Sequence, residues 1–171
     1  FSVGGDLYER KSMTQEQWLR QRQVFDRVLF ELRQSRRPIF TAVHGMAYGG
    51  GCEIASSTDF IVASDDAMFG QPEAMVGLSA GGGGPIFLPR LLPPGRAMQM
   101  LLTGDPLPAQ EAWRLGMVNE IHPRAELMAA AADGDIYGGY IVGSTTDTLV
   151  TVPAKSFFGE VYVSAGFAEA A

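Results

Sequence analysis

The sequence is poor in cysteine, with Cys52 the only one among 171 residues. A single thiol closes no disulfide loop, so a disulfide-stapled scaffold is excluded and a reducing, cytoplasmic compartment is expected. Long hydrophobic runs are missing too. None reaches the roughly 18 apolar residues that cross a bilayer, so no membrane partner is expected. Basic charge is in deficit: 13 Lys and Arg against 19 Asp and Glu leave a net charge of −6, which argues against a nucleic-acid partner. No glycine loop ends in Gly-Lys-Ser/Thr, so a phosphate-cradling loop of that type is excluded. Asp65-Asp66 reads as a turn, with neither His nor a further acid at metal-ligand spacing. What the chain does have is apolar material, 46% of its residues, enough for one domain with a true core.

The pattern between the ends is α/β. Thr14-Gln15-Glu16-Gln17 fits a capping box, opening a helix that runs to about Ser35 with Trp18, Phe25, Val28, Leu29 and Leu32 as its apolar stripe. Pro38 stops it. Ile39–Val43 and Phe60–Ala63 read as buried strands, and Cys52–Ser57 as the start of a helix. Pro85–Leu92 and Arg96–Leu102 read as helices. Pro108–Leu115 is a short helix ended by Gly116, followed by a strand over Met117–Ile121. Strands alternating with helices imply a parallel sheet with crossover helices.

The two ends read differently. Phe1-Ser2-Val3-Gly4-Gly5-Asp6-Leu7 looks like a strand running out into a glycine turn, so the core is expected to be N-terminally truncated. Arg124–Ala132 reads as a helix, and Asp133-Gly134-Asp135 then signals a turn. Beyond it Tyr140–Val142, Thr148–Val152 and Val161–Val163 are β-branched and aromatic runs. The expected division is a core over 1–132 and an atypical β-rich tail over 133–171. That tail is either a small hairpin subdomain or a foreign segment.

Three glycine clusters carry the chemical signal: Gly4-Gly5, Gly49-Gly50-Gly51 and Gly81–Gly84. The second follows an apolar run and opens a helix, so its free amides and the helix dipole face one point and attract negative charge. Glu53 lies three residues after Gly50. Glu73 lies twenty residues further on, in Phe69-Gly70-Gln71-Pro72-Glu73. Neither sits on a solvated face. Two carboxylates converging on one site repel each other, and burial with repulsion keeps a proton on one of them near neutral pH. Each residue also has a plainer reading: a charge favoured by the helix N-terminus for Glu53, an ordinary loop acid for Glu73, a turn for each glycine cluster.

Together these motifs resemble the crotonase (enoyl-CoA hydratase/isomerase) superfamily. Phe1–Leu7 resembles its first oxyanion-hole motif and Pro38–Glu53 its second. Phe69–Glu73, Gly77-Leu78, Leu102-Thr103-Gly104 and Ala112–Val118 follow in the same order, and the resemblance covers Phe1 to about Ala132. It implies a crotonase-like (ββα)-repeat spiral core. It implies that the backbone amides of Gly5 and Gly50 bind the carbonyl oxygen of an acyl-CoA thioester. Glu53 would activate a water as base and Glu73 would exchange the proton at the α-carbon. Val3, Gly4, Asp6, Leu7, Tyr48, Gly49 and Pro72 would line the substrate site. The implied reaction is addition of water across C2=C3 of a 2-enoyl-CoA, with no cofactor, since coenzyme A is part of the substrate, and no metal. The implied assembly is a homo-oligomer, a trimer or hexamer. Two other readings stay open: another acyl-CoA enzyme of the same superfamily (an isomerase or a side-pathway hydratase), or an inactive acyl-CoA-binding fragment.

Overall fold

The computed structural model describes residues 1–36, 38–133, 140–145 and 148–153. Two short sheets are stacked and laced together by the chain. The first contains β1 (Ile39–Val43), β3 (Phe60–Ser64), β6 (Glu120–His122), β7 (Tyr140–Thr145) and β8 (Thr148–Pro153), in the order β6-β3-β1-β7-β8. The second contains β2 (Met46–Tyr48), β4 (Met68–Gly70) and β5 (Leu107–Pro108), in the order β2-β4-β5. The chain passes from β1 to β2 and then enters helix α3 (Gly50–Ser56). It repeats the move from β3 to β4 and then into a 3-10 turn (Pro72–Val76) and helices α4 (Gly84–Leu91) and α5 (Pro94–Thr103). Each strand–strand–helix unit thus gives its first strand to one sheet and its second to the other. β1 lies parallel to β3, and β2 parallel to β4. This is the expected spiral of ββα repeats.

β1 is buried along its whole length, and the two-residue period of a strand sends its side chains to two cores. Phe40 and Ala42 join Val62, Leu127 and Ala131 on one face. Val43 joins Ile61, Ala63, Phe69, Leu88, Met100 and Leu107 on the other. Phe40 and Phe60, register partners across β1 and β3, stack with ring centroids 4.8 Å apart.

The helices mostly start and stop where the sequence dictates. Thr14 caps α2 (Gln15–Gln34) with a complete capping box: Thr14 Oγ1 accepts from Gln17 N, and Gln17 Oε1 accepts from Thr14 N. Its stripe is less buried than the periodicity predicts. Leu29 alone is fully buried and Trp18 is 44% exposed, because α2 meets the core through the face carrying Phe25 and Leu29 rather than along its whole length. Helix α1 (Leu7–Ser12) has no apolar periodicity to announce it. Asp6 starts it by accepting from the amides of Tyr8 and Glu9. Helix α6 (Ala109–Arg114) is one residue shorter at each end than expected, with Pro108 as its cap and part of β5.

The strand expected over Met117–Ile121 begins only at Glu120. Gly116 is left-handed (φ +89°), and the amides of Met117 and Val118 turn back to the Ala112 carbonyl, so they are spent on the helix end. Helix α7 spans Leu127–Asp133. The runs at Tyr140 and Thr148 form β7 and β8, with β7 parallel to β1 and antiparallel to β8. Val161–Val163 lies outside the described residues. Among the described residues no helix is long and apolar enough to cross a membrane.

Candidate active site

The site forms at the carboxyl ends of two neighbouring parallel strands. Tyr48 at the end of β2 is the register partner of Gly70 at the end of β4. The chain leaves β2 as Gly49-Gly50-Gly51 and leaves β4 as Gln71-Pro72-Glu73, so pairing of the strands brings both motifs together. Gly49 N donates to Gly70 O at 2.9 Å. Gly49 is left-handed (φ +52°), and a Cβ there would come within 3.0 Å of Glu73 Oε1. The Glu73 carboxylate therefore lies against the glycine turn that opens α3.

The N-terminal segment closes the third side. Ser2 pairs with Ala47 in β2: its amide donates to Met46 O and its carbonyl accepts from Tyr48 N. This seats Gly4 (φ +80°) on Gly50, where a Cβ would lie 2.7 Å from Gly50 N. The segment expected to leave a strand pairs with the sheet through this bridge, and Phe1 N donates to His44 O at 2.5 Å, before the chain turns into α1. Among the described residues, neither the Gly5 amide nor the Gly50 amide has an acceptor. Gly50 is the first residue of α3, where the dipole and the unpaired N–H groups favour negative charge.

Glu53, in the first turn of α3, is 3% exposed. Its Oε1 accepts from Gly82 N at 2.6 Å and from Gly84 N at 3.0 Å, at the start of α4. Burial pushes its carboxyl above the ordinary glutamate range, against the opposing pull of the Gly84 and Gly82 amides and of Arg22. Glu73 is half-buried within the 3-10 turn. Burial pushes its carboxyl up as well, its own backbone amide opposes this, and the nearby Glu53 charge adds to the rise. Both carboxyls are shifted upward, the direction that acid–base work calls for.

The residues predicted to line the site divide into two groups. Gly4, Gly49, Gly50 and Tyr48 are brought together around Glu73. The carbonyl of Tyr48 approaches Gly4 and its ring packs on Gly70. Val3 is exposed, with its carbonyl near Gly49. Pro72 starts the 3-10 turn and packs against Gly104. Asp6 is engaged as the cap of α1, and Leu7 is an exposed first-turn residue of that helix. The Arg10 guanidinium lies over the Cα of Gly5 and is held by Gln21 Oε1 at 3.2 Å.

Sequence reasoning missed Gln71. It is 0% exposed, and with its amide nitrogen turned to Glu73 it donates to Oε2 at 2.9 Å and to Oε1 at 3.1 Å. It missed the cradle around Glu53, whose amides come from 29 and 31 residues away. It also missed Phe25, whose ring lies against both Gly50 and Gly82. Its place in a helical stripe gave no signal of that contact.

Residues 1–133 match the family model described as enoyl-CoA hydratase/isomerase. The chain is 39% identical over 133 residues to a short-chain-enoyl-CoA hydratase of Clostridium acetobutylicum, covering 78% of this chain and 51% of the relative. It is 48% identical over 92 residues to a crotonyl-CoA hydratase of Syntrophomonas wolfei, covering 54% and 35% respectively. The crystal structure of an enoyl-CoA hydratase from Bacillus anthracis superposes with a TM-score of 0.72 at 34% identity, covering 75% of this chain and 50% of that one. The chain spans about half the length of the relatives it matches, or less.

Proposed function

This chain belongs to the enoyl-CoA hydratase/isomerase family and has its crotonase fold, and from that premise we propose that the protein is a hydro-lyase that adds water across C2=C3 of a 2-enoyl-CoA to give a 3-hydroxyacyl-CoA. The observation that carries the reading is the pairing of buried Glu53 with half-buried Glu73, both raised in pKa, close to the glycine turn at Gly49–Gly50, where among the described residues the Gly50 amide has no acceptor. The names of the relatives, hydratases of short-chain enoyl-CoA and crotonyl-CoA, support the same substrate class.

In this mechanism the thioester carbonyl oxygen accepts from Gly5 N–H and Gly50 N–H. Withdrawal of electrons toward that oxygen makes C3 electrophilic. Glu53 takes a proton from the water as its oxygen bonds to C3. The Gly82 and Gly84 amides stabilise the carboxylate form that this requires. Negative charge collects on the thioester oxygen as an enolate, where each amide donor lowers the barrier by about 3 kcal/mol. Glu73, whose carboxyl is raised by partial burial and by the neighbouring Glu53 charge, delivers its proton to C2. Gln71 holds the Glu73 carboxyl in position for that transfer. Exchange of the proton between the two acids resets the site.

The reaction uses no separate cofactor, because coenzyme A arrives as part of the substrate. Val3, Gly4, Asp6, Leu7, Tyr48, Gly49 and Pro72 are assigned to the substrate's surroundings. A homo-oligomer, trimer or hexamer, is the proposed assembly. It is supported by large apolar side chains left in solvent, such as Phe30, Met75 and Leu102. A cytoplasmic setting suits the single buried thiol. The test is incubation with crotonyl-CoA, following loss of enoyl absorbance and identifying the product. Formation of 3-hydroxybutyryl-CoA supports hydration. A shifted double bond would replace hydration with isomerisation, and binding without turnover would replace it with an acyl-CoA-binding role.

A further inference from the structure

Arg22 looks at first like a solvated helix residue. It forms an i,i+4 pair with Asp26 on α2 through Nε at 2.9 Å, both side chains more than one-third exposed. Pairs of that kind contribute little by themselves. Its second contact is of another sort. Arg22 Nη2 donates to the carbonyl oxygen of Gly81 at 2.5 Å, across 59 residues of sequence. That carbonyl and the Gly82 N–H belong to one planar peptide unit. The same Gly82 N–H donates to Glu53 Oε1 at 2.6 Å. A single peptide group is therefore held at both ends, by a guanidinium on its oxygen and by the Glu53 carboxylate on its nitrogen. Such a chain of hydrogen bonds polarises along its length, so the cation strengthens the donor that faces the carboxylate.

The surroundings reinforce the link. One turn along α2 from Arg22, Phe25 packs on Gly82 and Gly50, so the same helix face touches the Glu53 cradle and the start of α3. Asp26 occupies Nε and leaves Nη2 for the Gly81 carbonyl. Without these contacts a run of four glycines would have wide conformational freedom. Among the described residues, Arg22 on α2 is the charged group that acts on Glu53, and Glu53 in turn acts on Glu73 in the 3-10 turn.

We propose that Arg22 is a positioning residue for Glu53, acting through the Gly81–Gly82 peptide that both of them hydrogen-bond. It does not touch the reacting atoms. The proposal rests on the hydration reading above for its catalytic consequence, but its structural part can be measured without turnover.

The experiment uses the full chain as wild type, Arg22→Met, Arg22→Lys, Glu53→Gln and the Arg22→Met/Glu53→Gln double variant. Two quantities are measured: hydrogen exchange of the Gly82 amide by NMR, and kcat and KM for crotonyl-CoA hydration. Exchange at Gly82 is expected to be about tenfold faster in Arg22→Met, the scale of one lost charge-assisted hydrogen bond. Arg22→Lys, which keeps a cationic donor, should restore most of the protection. The kcat of Arg22→Met should fall about tenfold with KM within about twofold of wild type. In the Glu53→Gln background the same substitution should cost almost nothing, since its effect passes through Glu53. Unchanged exchange at Gly82 overturns the proposal, whatever the activity. So do losses of kcat that simply add in the double variant, because Arg22 would then act by another route. Faster exchange together with full turnover by Glu53→Gln would instead overturn the role given to Glu53, which keeps the two failures apart.

Discussion

A Cβ placed on Gly4 would lie 2.7 Å from the backbone nitrogen of Gly50. Two glycines 46 positions apart thus meet backbone to backbone, and the first of them has φ +80°. Gly4→Ala combines left-handed strain of about 1–2 kcal/mol with a contact that must push Gly50 aside. Displacing one donor of an oxyanion hole costs about 10²-fold or more in kcat. We expect that loss together with a lower Tm. Hydration kinetics and thermal unfolding of the variant check it, and wild-type values for both would refute the close approach.

The raised carboxyls of buried Glu53 and half-buried Glu73 carry a prediction about stability and pH. The folded-state pKa of Glu53 and of Glu73 is raised by burial, so the folded chain holds protons that the unfolded chain has released. Their contribution is fully present below the ordinary glutamate value of about 4.3 and is lost as pH rises through the raised values. Glu73→Gln should therefore raise Tm more above that window than below it. Asp66 has the opposite sign. The Ser64 hydroxyl and Arg124 hold it down to about 2, so its contribution is present above the ordinary aspartate range and is lost as pH falls toward that value. Asp66→Asn should flatten the acid side of the Tm profile. Thermal unfolding across pH for both variants checks the two signs.

Cys52 is fully buried next to Glu53, and burial pushes its thiol up to about 12. Thiolate, the reactive form, is then negligible at neutral pH. The native chain should resist alkylation by iodoacetamide, and the denatured chain should react fully. Rapid labelling of the native chain would contradict the burial.

The capping box at Thr14 and Gln17 was legible because it is local: four consecutive residues hold all the information. The strands Ile39–Val43 and Phe60–Ala63 were legible as apolar runs. Glu53 and Glu73 stood out because their neighbours are glycine, proline and glutamine rather than a solvated face, and the order of motifs gave the family. What holds those acids was not legible. Gln71 reads as a spacer between Gly70 and Pro72, and only the pairing of β2 with β4 turns it inward to Glu73. Gly82 and Gly84 read as a turn, yet their amides reach Glu53 across about 30 residues. Arg22 reads as surface charge and Phe25 as ordinary core. Such contacts are products of tertiary packing, and no window of the sequence contains them. Met117 and Val118 failed for the converse reason: an apolar run resembled a strand, but the helix end at Gly116 had claimed its amides.

The direct test of Glu73 as the proton donor is a paired measurement on Glu73→Gln: kcat for crotonyl-CoA hydration and Kd for a saturated acyl-CoA. The amide keeps the size of the side chain and removes the transferable proton. The expected result is a loss of about 10²–10⁴-fold in kcat, with the thioester still bound through the Gly5 and Gly50 amides. Turnover unchanged in Glu73→Gln would contradict the two-glutamate mechanism.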